Sequence, residues 1–79
     1  MTVNIGRPGV YGNPFHIGLD GDRATVVDKY REWLYAPEQA WLRKRSLIEL
    51  PGQKLWCPGC RGSHPCHGDV LKVLIGEEL

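Results

Sequence analysis

At 79 residues, with ten basic and nine acidic side chains and a net charge of +1, the chain reads as one domain, 1–79, whose core is marginal without a metal, a disulfide or a partner to reinforce it. The charge is spread evenly: residues 1–35 and 51–79 each sum to zero and 36–50 to +1. That argues against a nucleic-acid footprint. No apolar run is long enough to cross a bilayer, and neither a secretory signal nor a repeat is visible, so a cytoplasmic location and no membrane partner are expected.

In chain order, Thr2 to Ile5 alternates and predicts a short strand with Val3 and Ile5 on one face. The next stretch holds Gly6, Gly9 and Gly12 with Pro8 and Pro14 inside ten residues. Its Val10, Tyr11 and Phe15 argue for an ordered loop, since a flexible linker would lack them. Glycines that let backbone approach a ligand, with Arg7 and Asn13 as donors, make this loop a candidate anion cradle, although no GxGxxG or Walker pattern is present. The competing expectation is a loop that merely covers the core.

Asp20-Gly21 predicts a turn, and Asp22 an N-cap for a helix over Arg23–Tyr35. Val26, Val27, Tyr30, Trp33 and Leu34 fall on one face of it, with Asp28, Lys29, Arg31 and Glu32 turned to water. Pro37 suits the first turn of a second helix running to Leu50, on which Ala40, Trp41, Leu47 and Ile48 suggest the buried side. Arg43-Lys44-Arg45 interrupts that pattern and reads as a solvated face. Pro51-Gly52 stops the helix, Lys54–Trp56 predicts a second strand, and a last helix is expected from about Asp69 with Val70, Leu71, Val73 and Leu74 as its apolar side.

All three cysteines and two of the three histidines lie between Cys57 and His67. Thiolates and imidazoles together are the ligand set that selects zinc. Cys57-Pro58-Gly59-Cys60 can bring two sulfurs to one tetrahedral ion, because proline presets φ and glycine accepts φ > 0 in the turn between them. Cys66 supplies a third ligand and His67 the fourth, with His64 as the alternative fourth. The competing readings are buried free thiols, which the Gly-, Pro- and Arg-rich surroundings disfavour, and a disulfide, which the odd cysteine count and the lack of a signal disfavour.

The stretches Ile5-Gly6-Arg7-Pro8, Tyr11-Gly12-Asn13-Pro14-Phe15, Lys29-Tyr30-Arg31-Glu32-Trp33-Leu34 and Cys66-His67-Gly68-Asp69-Val70-Leu71 resemble a family of small uncharacterised phage and bacterial proteins. That family is a domain of unknown function marked by GNPF near the front and CHGD near the end. Its members often carry two cysteines one residue apart before the CHG, whereas Cys57 and Cys60 are separated by two. The resemblance implies a compact α+β domain of intracellular, often phage-borne origin and implies no activity. It also links the glycine-rich front loop to the Cys-His pair: if the strands ending at Ile5 and Trp56 lie side by side, Arg7, Asn13, Cys66 and His67 converge, the last two at a helix N-terminus.

The expected architecture is therefore a small α+β domain of two or three short strands and about three helices around a zinc-stabilised Cys/His loop. Three functions follow. The first is a zinc-binding module, phage-encoded and directed at a host protein. The second is a nucleotide- or nucleoside-processing enzyme using Cys66 or His67 beside Arg7 and Asn13. The third is a zinc-ribbon-like nucleic-acid binder using Arg43, Lys44, Arg45 and Arg61.

Overall fold

A computed structural model describes residues 2–7, 9–60 and 65–78. Two three-residue strands, β1 (Thr2–Asn4) and β2 (Lys54–Trp56), run parallel with Thr2 opposite Lys54, Val3 opposite Leu55 and Asn4 opposite Trp56. Ile5 extends the ladder by donating its N–H to the Trp56 carbonyl at 2.9 Å. Parallel strands need a long crossover, and here it comprises α1 (Arg23–Tyr35), a 3-10 turn (Pro37–Gln39) and α2 (Ala40–Glu49). The last helix, α3 (His67–Glu78), packs against both α1 and α2. The arrangement is α+β.

α1 begins where Asp22 accepts the Thr25 N–H at 2.9 Å, and that backbone bond holds the Asp22 carboxyl below its ordinary range. Val26, Val27, Tyr30 and Leu34 are buried on it as their spacing requires. Trp33 is only half-buried at the core's edge, its ring centroid 5.6 Å from that of Tyr30. The core joins Ile5, Tyr11, Val27, Tyr30, Leu34, Leu42, Leu50, Val70, Leu71 and Leu74, so every element except the 3-10 turn contributes or packs on it. Fully burying one such aliphatic side chain stabilises by about 1.5–3 kcal/mol.

α2 presents a different face from the one its sequence suggests. Leu42, Ser46 and Leu50 are buried, at i, i+4 and i+8, whereas Ala40 is exposed and Trp41 and Ile48 are 53% and 74% exposed. Ser46 fits the seam because its hydroxyl donates to the Leu42 carbonyl at 2.8 Å and so is paired where it is buried. Arg43 is occupied in closing α1, donating to the carbonyls of Leu34 (2.7 Å) and Ala36 (2.8 Å). α3 also starts at His67 rather than near Asp69, and its Val73 is 53% exposed.

The front loop is ordered by its own turns and by α1. Gly9 bonds back to Gly6 and Gly12 to Gly9. Gly12 is required there, since a Cβ would lie 2.9–3.0 Å from Cγ, Cα and N of Arg7. Tyr11 is buried, its hydroxyl donating to Glu49 at 2.5 Å and its carbonyl accepting from Tyr30 at 2.9 Å. Asn13 clamps the rest, accepting the Phe15 N–H at 2.9 Å and donating to the Val26 carbonyl at 3.1 Å.

Candidate metal centre

β2 delivers the chain directly into Cys57, and Pro58-Gly59 turns it so that the Cys60 N–H bonds to the Cys57 carbonyl at 3.2 Å. Gly6 of the front loop lies against this knuckle: a Cβ on it would come within 2.8 Å of Pro58. The other two side chains come from the start of α3, which is closed reciprocally. The Asp69 carboxylate accepts the Cys66 N–H at 3.0 Å, and the Gly68 N–H points at Cys66 Sγ at 3.4 Å. This is a capping box with sulfur as the cap acceptor, and it places that sulfur in the field of the helix N-terminus.

Ligand atoms of Cys57, Cys60, Cys66 and His67 all lie within 4.8 Å of one another. His67 Nδ1 is 3.9 Å from both Cys57 Sγ and Cys66 Sγ. Its other ring nitrogen, Nε2, is 2.7 Å from the Ile5 carbonyl oxygen. A carbonyl only accepts, so Nε2 carries the proton and Nδ1 turns a lone pair toward the sulfurs, the tautomer a metal needs. A tetrahedral zinc, with bonds of about 2.3 Å to sulfur and 2.0–2.1 Å to nitrogen, separates sulfur from nitrogen by about 3.6 Å. The two measured separations need contract by only a few tenths of an ångström. The Tyr30 ring holds the imidazole from the core side, edge-on at 5.0 Å between centroids and 71° between planes.

The electrostatics favour a cation. Burial, then the hydrogen bond with Cys60, pushes the Cys66 thiol up to about 12. Burial and Cys60 raise Cys57 as well. Burial also acts upward on Cys60, but hydrogen bonds from Cys66, Cys57 and Arg23 outweigh it and leave that thiol below its ordinary value. Burial, aided by the charge of Arg7, keeps His67 neutral by lowering its pKa. All three cysteines are free. A dication among them would convert the mutual repulsion of thiolates into attraction and displace their protons.

His64 and Arg61 lie outside the described residues. Arg7 and Asn13 line a cleft of about 350 Å³ that Cys57, Cys60 and His67 also border, while Cys66 does not. With β1 and β2 adjacent, the front loop and the Cys-His pair do meet. Two further residues of this cleft, His16 and Arg23, escaped the sequence reading. Arg23 carried only a positional signal, as the first residue of α1. Nothing marked His16, which receives Arg7 Nη1 at 2.6 Å on Nδ1. Two of the three basic residues in the α2 run are engaged elsewhere, Arg43 on backbone carbonyls and Arg45 with Glu49 at 2.6 Å.

Fold and cluster together define a small α+β domain with a Cys3His group positioned to hold a metal ion. A family model for a domain of unknown function, DUF4326, matches residues 1–77, and the chain belongs to that family. No curated protein and no solved structure matches the chain.

Proposed function

We propose that this is a zinc-built binding module, in which the metal is structural and the chain acts by holding a ligand rather than transforming it. The observation that carries this reading is the closed ligand set, four donor atoms within 4.8 Å with His67 already in the ligating tautomer. Structural zinc sites use four protein ligands, whereas catalytic ones keep a position open. A site of three thiols stays competent in a reducing compartment, which supports the cytoplasmic location. The exposed Trp41 and Ile48 on the outer side of α2 favour a protein partner, such as the host protein expected for a phage-encoded module.

The nucleotide-processing alternative is favoured by the cleft. With zinc bound, however, Cys66 and His67 are both ligands, so neither is free as nucleophile or base, and binding is the better reading of the same geometry. Cobalt substitution tests it. Four-coordinate Cys3His ligation gives intense tetrahedral d–d bands and sulfur-to-cobalt charge transfer that added small anions leave unchanged. A spectrum that shifts when an anion enters the coordination sphere would mark an open, catalytic position.

A further inference from the structure

We infer that the cleft beside the metal centre is a binding site for a small phosphate monoester carried on a flat apolar body, with Arg7 and Arg23 as its anion clamp. The inference rests on the zinc-built binding module and adds a small-molecule ligand to the protein partner proposed for the outer side of α2. At about 350 Å³ the cleft sits at the small end of pockets that hold small molecules, about 300–1,000 Å³. It has room for one such molecule. Its lining is partly apolar, with Phe15 and Ile17 from the segment before α1 and Val26 and Val27 from α1. Arg7, His16 and Arg23 line it too, and no carboxylate does among the described residues.

Charge decides the class of ligand. One zinc dication against three thiolates leaves a single negative charge, and two guanidiniums turn it into a single positive one. Neither arginine is in an ion pair among the described residues. Arg7 is nonetheless held in place, resting on the His16 ring with Nη1 2.6 and 3.0 Å from its two nitrogens, and Arg23 lines the same cleft as Cys60, whose thiol its charge helps to lower. Guanidiniums fixed before the ligand arrives lose little entropy on binding and match phosphate oxygens as paired donors. The apolar lining suits a nucleobase, and Lys29 adds a cation near it, 5.9 Å over the Phe15 ring.

The test titrates the zinc-loaded chain with adenosine and guanosine 5′-monophosphates, their nucleosides and inorganic phosphate, by calorimetry, with zinc measured in every sample. One nucleotide should bind in a one-to-one complex, with its nucleoside and phosphate alone each at least about tenfold weaker. Arg7→Gln and Arg23→Gln should each lose about tenfold or more, and the Lys variants should lose less. If Arg23→Gln sheds zinc, Arg7→Gln decides alone, because Arg7 bonds to His16 and not to a sulfur. Full zinc with no nucleotide binding at millimolar concentration, nucleosides that bind as well as nucleotides, or Arg7→Gln that binds like the parent would overturn this inference alone. A parent without zinc would instead overturn the reading on which it rests.

Discussion

His67 Nε2 lies 2.7 Å from the carbonyl oxygen of Ile5, sixty-two residues earlier in the chain. Through this bond the first strand sets the tautomer of a side chain on the last helix, so the sheet and the candidate metal site form one structural unit. Gly68 permits the approach, since a Cβ there would lie 2.7 Å from Ile5 Cδ1. The start of α3 is thus held from three sides, by β1, by the cysteine knuckle and by the ring of Tyr30.

Replacing His67 by Ala removes a candidate ligand and also leaves the buried Ile5 carbonyl without its partner. The second effect alone costs about 1–3 kcal/mol, in a domain whose whole stability is on the order of 5–15 kcal/mol. His67→Ala should therefore lose both bound metal and its cooperative thermal transition. His16→Ala, which removes an exposed ring outside the four-ligand group, should keep both. Metal content and melting of the two proteins, side by side, check this.

The Tyr30 hydroxyl is the link between α1 and the front loop, donating to the Tyr11 carbonyl at 2.9 Å from a fully buried ring. Tyr30→Phe keeps the ring against His67 and removes only that bond. It should lower stability by about 1–3 kcal/mol in urea unfolding without lowering metal content. A metal-depleted Tyr30→Phe would show that the loop, and not the ring, supports the centre.

The faces of α2 differ enough to be tested by truncation. Leu42 is fully buried and Ile48 is 74% exposed. Leu42→Ala should cost about 2–5 kcal/mol, while Ile48→Ala should stay within about 0.5 kcal/mol. Urea midpoints that rank the two the other way would return α2 to the orientation its seven-residue apolar spacing suggested.

That spacing shows where the sequence was legible and where it was not. α1 could be read because an aspartate cap and a continuous apolar stripe agree on one answer, and β2 because Lys54–Trp56 runs from a Pro-Gly stop into the cysteine knuckle. On α2 the same logic failed. Its buried seam runs through Ser46, a residue that looks polar until its hydroxyl is seen to bond within its own helix. Trp41 and Ile48 stand outside the core. The Cys/His grouping was visible because spacing alone brings Cys57 to Cys60 and Cys66 to His67. That the two pairs meet depends on the pairing of strands at opposite ends of the crossover. Arg23 could not be placed for the same reason, since its approach to Cys60 is set by tertiary packing.

Glu49 offers a pH test away from the cysteines. The Tyr11 hydroxyl first, and Arg45 second, hold its carboxyl below the ordinary 4.5. A folded-state pKa below the unfolded one means the stabilisation is full above the unfolded value and is lost as pH falls through the folded one. The difference in urea midpoint between parent and Glu49→Gln should be constant from neutral pH down to about 5 and shrink below about 4.5. A gap that narrows already between neutral pH and 5 would assign the effect to another group.

The central claim is that Cys57, Cys60, Cys66 and His67 hold a structural zinc, and metal analysis of protein purified without added zinc tests it most directly. One zinc per chain is expected, absent from a variant with Cys57 and Cys66 both changed to Ser. Chelation should abolish the thermal transition, because a structural zinc contributes on the order of 10 kcal/mol coupled to folding. Metal-free protein that melts at the same temperature as protein incubated with zinc would contradict it.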